Sequence, residues 1–421
     1  MATLNWIGKE KVINHHLDVP FRTLNYKYTY KDGQTLTDGT KSENKIIHGD
    51  NLEALKSLLP EYEGKIKCIY IDPPYNTGNE GWVYSDNVNS PKIKKWLGET
   101  VGRENEDLTR HDKWLCMMYP RLKLLHKLLS DDGLIFISID YHEQHYLNIL
   151  LNEIFGEKNY LAQLIWRGMH TVRNSAKDFN KNTEYVFCYS KNINKLIIPS
   201  NSKTYLRTPM DKSGSYTKND NDDRGFYKLD PISARNYARP YTINFPNGVV
   251  WEAPVGSYPR YSYDNLLQMY QENKLDFNGK DPRAKRYLEK VQKGVPTSTL
   301  LPNEQVGFNK DGTSILSQIF PNIKAFDQPK PPSLIEFLFK ISREIDTDDG
   351  IYLDSFAGSG TTAHAVLNLN KEDGGNRKFI LIELEDYAEN ITAERIKRVI
   401  DGYGENKRVE GTDGDFEFLE L

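Results

Sequence analysis

Ile351-Tyr-Leu-Asp-Ser-Phe-Ala-Gly-Ser-Gly-Thr-Thr-Ala363 decides the fold. Its first three residues form a short β-rich run, its glycines mark a turn, and a helix is predicted from Thr361. Gly358 and Gly360 let the backbone take positive φ and approach a ligand closely, and the helix that follows offers unpaired N–H groups. Gly358-Ser-Gly360-Thr-Thr-Ala363 fits the G-x-G-x-x-G/A pattern of dinucleotide sites, a weak match alone. Glu383 adds to it. It closes the next strand, Phe379-Ile-Leu-Ile382, at a place where an acid accepts hydrogen bonds from a ribose diol. Together they favour an adenosine-containing ligand over a tight strand-to-helix turn that binds nothing. No G-K-[S/T] triplet occurs, which excludes a P-loop nucleotidase.

Working outward, Pro332 to Ile341 reads as a helix before this strand, and a last helix runs to about Ile400. Nearer the N-terminus, Ile46-Ile-His-Gly-Asp50 leads into an amphipathic helix over 51–59 that Pro60 is expected to stop. Lys67-Cys-Ile-Tyr-Ile71 is a strand ending at Asp72-Pro-Pro-Tyr75. Residues 76–110 read as a long loop, of a length uncommon unless it covers a site. A helix from about Arg110 to Leu129, the strand Leu134 to Ile139 and a helix from about Tyr141 to Phe155 follow. Strand and helix alternate, so the class is α/β with a parallel sheet. Residues 167–325 break the rhythm with Tyr, Asn, Pro, Gly and basic residues and read as an inserted domain; Glu184 to Tyr189 is a strand-like piece within it. The division is therefore an N-terminal extension (1–45), an α/β half (46–166), the insert (167–325), a second α/β half (326–400) and an acidic tail (401–421). With seven acids and two bases, that tail reads most simply as a solvated end.

Asp72-Pro73-Pro74-Tyr75 carries the chemistry. A residue before proline is pushed out of the α region, so Asp72 and Pro73 are extended, and their carboxylate and carbonyl converge on one point. Two acceptors at one point suit an exocyclic amine. Tyr75 supplies an aromatic face on which a flipped base can stack.

The whole chain has 421 residues, 38% hydrophobic, with no 18-residue apolar run and no signal pattern at its start, which predicts a cytoplasmic protein without a membrane span. Cys68, Cys116 and Cys188 lack CxxC spacing, so neither a disulfide framework nor a zinc site is indicated. His111, His142 and His145 read as surface or structural, leaving no metal site. Net charge is −4, but residues 151–320 carry 24 Lys+Arg against 17 Asp+Glu while the remainder is −11. A basic middle is what a nucleic-acid reader presents. Arg235, Arg239, Arg260, Arg283, Lys285 and Arg286, interleaved with tyrosines, are its candidate phosphate-binding residues.

The strand–DPPY element together with F-A-G-S-G-T-T resembles the amino-methyltransferases of DNA that use S-adenosylmethionine. With the tetrapeptide preceding the glycine loop and a basic insert between them, the order is that of the permuted β class. Over residues 46–400, Gly49-Asp-Asn-Leu-Glu-Ala-Leu55, Asn76-Thr-Gly78, Asp112-Lys-Trp114, Gln328-Pro-Lys-Pro-Pro-Ser-Leu334 and Asp223-Arg-Gly-Phe-Tyr-Lys-Leu229 look most like modification subunits of type III restriction systems. The resemblance implies a Rossmann-like, seven-stranded, mostly parallel, circularly permuted sheet with an inserted target-recognition domain. It implies adenine N6 methylation of duplex DNA, with N4 of cytosine as the alternative; a nucleotide-cofactor oxidoreductase and an inactive DNA-binding subunit stand further off. By position it assigns Asp72, Pro73, Pro74 and Tyr75 to catalysis, and Asp354, Phe356, Gly358, Gly360, Thr361 and Glu383 to S-adenosylmethionine. Asp50 is placed on the cofactor's adenine amine and Lys330 at its methionine end, although Asp50 also reads as a helix N-cap and Lys330 as a solvated lysine. Double-stranded DNA is the implied partner; a restriction subunit and a homodimer stay open.

Overall fold

The computed structural model describes residues 3–77, 95, 98–99, 109–171, 179–196, 206–208, 213–290, 295–342, 349–405 and 407–421. Most of the loop expected over 76–110 lies outside the described residues, as do positions 291–294. The chain forms two compact units, one of residues 1–206 with 297–421 and one of 207–296.

The larger unit is built on β1 (Asn25–Lys31), β2 (Gln34–Leu36), β3 (Lys45–His48), β4 (Ile66–Ile71), β5 (Leu129–Ile139), β6 (Tyr160–Trp166), β7 (Glu184–Ser190), β8 (Ile351–Asp354), β9 (Lys378–Glu383) and β10 (Asp415–Glu420). They make one sheet in the order β2-β1-β10-β3-β9-β8-β4-β5-β7-β6. The six strands from β10 to β5 are mutually parallel, while β7, β6, β1 and β2 pair antiparallel. The α/β class stands as expected, but among the described residues the sheet has ten strands rather than seven. The additional strands come from the two ends of the sequence. Residues read as an N-terminal extension supply β1 and β2, and the acidic stretch supplies β10 between β1 and β3.

The expectation of a solvated tail is thus corrected, and the physical reason is visible in Asp415-Phe-Glu-Phe-Leu-Glu420. Phe416, Phe418 and Leu419 are buried, and Glu417, 1% exposed, pairs with Lys45 at 3.1 Å and accepts from the Ser42 backbone N–H. The insert is also narrower than 167–325. Glu184–Ser190 bonds along β5 from Tyr185↔Ile139 to Ser190↔Leu134, and Leu316 and Ile319 of the helix Asn309–Ile319 join the core beneath the sheet.

Helices cover both faces, so the strands are apolar on both sides, as parallel sheets require. On one face α1 (Asn51–Tyr62), α2 (Arg110–Leu128) and α3 (Gln144–Phe155) pack over Ile69, Ile71, Ile135 and Ile137; on the other α4 (Pro332–Ile341), α5 (Thr361–Asp373) and α6 (Glu394–Asp401) pack over Tyr70, Phe136, Tyr352 and Leu381. Pro60 does not stop α1, which runs on to Tyr62 because one proline near a helix end forfeits a single backbone bond.

The smaller unit has a three-stranded antiparallel sheet, Leu275–Asp276, Arg283–Tyr287 and Tyr227–Pro231, with two-stranded ribbons and the helix Tyr263–Gln271, which Ser262 caps. Its own core gathers Ile232, Ile243, Phe245, Trp251 and Leu266.

Candidate functional site

β8 and β4 lie side by side and parallel, with Leu353 opposite Ile69, so their carboxyl ends present Asp354 and Asp72 together. The chain leaves β8 toward β9 and leaves β4 toward β5, in opposite directions along the sheet. Such a switch point opens a crevice outside the carboxyl ends of the strands. A cavity of about 150 Å³ is found there. Asp72, Pro73, Pro74 and Tyr75 line it together with Asp354, Phe356, Gly358, Thr361, Glu383 and Lys330.

The tetrapeptide is anchored on both sides. Buried Trp114 of α2 donates its indole N–H to the Pro74 carbonyl at 2.7 Å. Asn76, at φ +57°, donates to the Arg110 carbonyl at 3.1 Å and to the Glu143 carboxylate. Asn tolerates the left-handed region better than most residues, so Asn76 closes the turn. Glu143 is fully buried, which pushes its carboxyl up to about 8, and its Oε1 also lies 2.7 Å from His111 Nδ1. His142 likewise contacts Asp140 at 2.7 Å. Both histidines have acidic neighbours, yet the described residues hold no group of three or more ligands able to take a metal.

The glycine loop is equally determined. Gly358 and Gly360 adopt φ +52° and +83°, and a Cβ at 358 would meet Phe326 at 3.1 Å. Glu383 accepts from the Gly358 N–H at 2.7 Å and the Glu385 N–H at 2.9 Å, and Asp354 accepts from the Phe356 N–H at 3.0 Å and the Thr362 hydroxyl at 2.5 Å. Burial raises both acids to about 7. Ser355 Oγ, buried in the lining, has no hydrogen-bond partner among the described residues. A cradle of bare backbone, a buried acid and an unsatisfied hydroxyl fits the adenosine end of S-adenosylmethionine.

Two expected residues are placed elsewhere. Asp50 caps α1, accepting from the Leu52 and Glu53 N–H groups at 2.8 and 3.2 Å, and lies 3.6 Å from Arg121; its side chain is not in the lining. Gly360 sits behind the loop, 3.2 Å from the Thr392 carbonyl by its would-be Cβ. Lys330 is not a solvated lysine. It is 8% exposed, bonding Asp72 at 2.8 and 3.0 Å and approaching Glu184 at 3.4 Å.

Glu184 and Arg121 are among the lining residues that sequence reasoning missed. Glu184, at the start of β7, accepts from the Tyr75 hydroxyl at 2.9 Å and from Asn309 at 2.8 Å. Arg121, 1% exposed, bonds Asn51, which in turn donates to the Ser355 carbonyl and so joins α2 to the glycine loop. Burial depresses the Arg121 pKa. Only the hint of an acid beside a strand could have signalled Glu184.

In the smaller unit Arg235, Arg239, Arg260 and Arg283 are exposed. Lys285 is not free for a ligand: it bonds Asp220 at 2.6 Å with its side chain 7% exposed. Arg286 lies 3.4 Å from Asp230. Strand alternation sets Arg286 on the face opposite Lys285, so the three cations of this strand do not form one patch.

A family model for DNA methylases of the N6/N4 methyltransferase type matches residues 66–394. The Mod subunit of the type III restriction-modification enzyme StyLTI of Salmonella typhimurium is 36% identical over 379 residues, 85% of this chain and 55% of the relative. The EcoP15I Mod subunit of Escherichia coli is 28% identical over 436 residues, 91% and 64% of the two chains. The type II methyltransferase M.KpnI of Klebsiella pneumoniae is 30% identical, with 85% of each chain covered. The chain thus spans between about half and two thirds of the length of the type III relatives.

Proposed function

Because the chain belongs to the DNA methylase family matched over residues 66–394, we propose that it transfers a methyl group from S-adenosylmethionine to the N6 amine of adenine in a duplex DNA recognition sequence, as the modification enzyme of a restriction-modification system. One observation carries the reading. Asp72 and the glycine loop at 354–361, far apart in sequence, face one cavity at the switch point of the sheet.

Bound S-adenosylmethionine supplies an electrophilic sulfonium methyl group. Gly358 and Phe356 give it a backbone cradle, and Glu383 accepts from its ribose. The target adenine must leave the duplex to reach the cavity. Asp72 and the Pro73 carbonyl accept the two amine hydrogens, and Tyr75 stacks on the ring. Held so, the nitrogen lone pair is turned toward the methyl group, and catalysis is positioning plus electrostatics. Burial and the neighbouring Asp72 and Glu184 charges keep the Tyr75 hydroxyl protonated, so it acts as a donor and an aromatic face rather than as a base.

The smaller unit is the candidate target-recognition domain, with exposed Arg235, Arg239, Arg260 and Arg283 on DNA phosphates. A separate restriction subunit is the further partner this reading implies. None of the described helices is long and apolar enough to cross a membrane.

The test is tritium transfer from labelled S-adenosylmethionine to unmethylated bacterial DNA, followed by nucleoside analysis. N6-methyladenine is expected, and it should vanish in Asp72→Ala while cofactor affinity by calorimetry stays within a few fold of wild type. Label in N4-methylcytosine or in no nucleoside overturns the reading.

A further inference from the structure

Lys330 stands in the place the target base needs. Its ammonium bonds both oxygens of Asp72, at 3.0 and 2.8 Å, and lies 4.8 Å from the centroid of the Tyr75 ring. Those are the acceptor and the aromatic face assigned above to the adenine amine and ring. An ammonium offers Asp72 the donors an amine would, and over the ring it takes the position of a stacked cation. Base and lysine cannot both be there.

Displacing a buried ammonium from its carboxylate leaves an uncompensated charge unless a second acid receives it. The second acid is present. Glu184 Oε2 lies 3.4 Å from Lys330 Nζ, within ion-pair reach while the ammonium is still held by Asp72. Glu184 is itself fixed, with Oε1 held by Asn309 at 2.8 Å and Oε2 by the Tyr75 hydroxyl at 2.9 Å. Each carboxylate oxygen has two lone pairs, so Oε2 can serve Tyr75 and Lys330 together.

We propose that Lys330 is a placeholder for the target base, and that Glu184 is the positioning residue that takes over its ammonium when the base enters. The proposal rests on the adenine-methyltransferase reading. Two acids share one cation, so the exchange moves no net charge into or out of the cavity. The incoming neutral amine finds both Asp72 oxygens released, and Tyr75, tied to the same Glu184 oxygen, stays in its stacking orientation. Entry of the base therefore depends on Glu184, and binding of the cofactor does not.

The test is a double-mutant cycle in the full chain with Glu184→Gln, Lys330→Met and the pair, measured as methyl transfer to unmethylated bacterial DNA and as calorimetric cofactor affinity. Glu184→Gln should raise the KM for DNA tenfold or more, with a smaller change in kcat and cofactor affinity within twofold of wild type. With Lys330 already Met, the same substitution should cost less than twofold. A merely structural Glu184 would show an equal penalty in both backgrounds, which overturns the exchange, as does a Glu184→Gln enzyme equal to wild type. A tenfold loss of cofactor affinity in Lys330→Met would show that the lysine serves the cofactor and is no placeholder. Lys330→Gln repeats the cycle should the Met variant misfold. Absence of methyl transfer by the wild-type chain overturns the methyltransferase reading itself, an outcome distinct from all of these.

Discussion

At Tyr75 two roles meet in one side chain, because the ring faces the cavity while the hydroxyl donates to Glu184 at 2.9 Å. Tyr75→Phe keeps the face and loses one hydrogen bond to a charged acceptor, worth roughly 1.5–3 kcal/mol before Lys330 and Asn309 compensate. A loss of about fivefold in single-turnover rate is expected, against about a hundredfold for Tyr75→Ala, where stacking worth about 1–3 kcal/mol goes as well. Equal losses in the two variants would place the whole effect on the hydroxyl. Glu383 gives a second residue-scale prediction. Burial raises its carboxyl to about 7, and a carboxylate accepts ribose hydroxyls better than the acid does. Cofactor affinity should therefore rise as pH passes from 6 to 8, and Glu383→Gln should flatten that profile in calorimetry. The sign for folding is opposite: raised above its unfolded value, Glu383 contributes stability that is lost as pH climbs through about 7. Asp72, Tyr75 and Glu383 were legible because each ends or follows a strand whose local run announces it. Glu184 was not, since its place depends on β7 pairing with β5 across a long intervening stretch, and local periodicity carries no register.

Among the elements, the β8–turn–α5 unit is the most demanding of its sequence. Gly358 sits at φ +52° under the Phe326 ring, a conformation that costs a side-chain-bearing residue about 1–3 kcal/mol. Gly358→Val adds a branched side chain to that strain and fills the cradle. Cofactor affinity should fall tenfold or more while the circular dichroism of the fold persists; wild-type affinity would remove the loop from the cofactor site. Strands with apolar runs and helices with a clear stripe were read to within a few residues, as at Ile66–Ile71 and Arg110–Leu128. β10 was hidden by a different cause. Its alternation of acid and apolar residues is a period-two strand signal, but charge counted over the whole acidic stretch averages it away.

For the molecule as a whole, the two compact units divide the proposed labour between cofactor chemistry and DNA reading. Exposed arginines and paired lysines should then behave differently in salt. Replacing Arg235, Arg239, Arg260 or Arg283 by Ala should reduce the slope of log DNA affinity against log salt by about 0.9 for each phosphate no longer neutralised. Lys285→Ala should leave the slope alone and lower stability instead, because it removes the closest cation from Asp220. An equal change of slope for Lys285 and Arg283 would refute the distinction. The basic excess over residues 151–320 was visible in the sequence, but which cations are already spoken for depends on strand faces and distant acids.

Tyr30 lies opposite Phe416, so the sheet joins segments separated by most of the chain. At roughly 5–20 residues per second of synthesis, β1 leaves the ribosome on the order of 20–80 seconds before the strand that must lie between it and β3. Throughout that interval Tyr28 and Tyr30 have no Phe416 and Phe418 to stack on, and the growing polypeptide carries an unsealed seam near one edge of its sheet. Every copy must wait for β10, and holding that seam apart from neighbouring chains falls to whatever nascent-chain chaperones the cell provides.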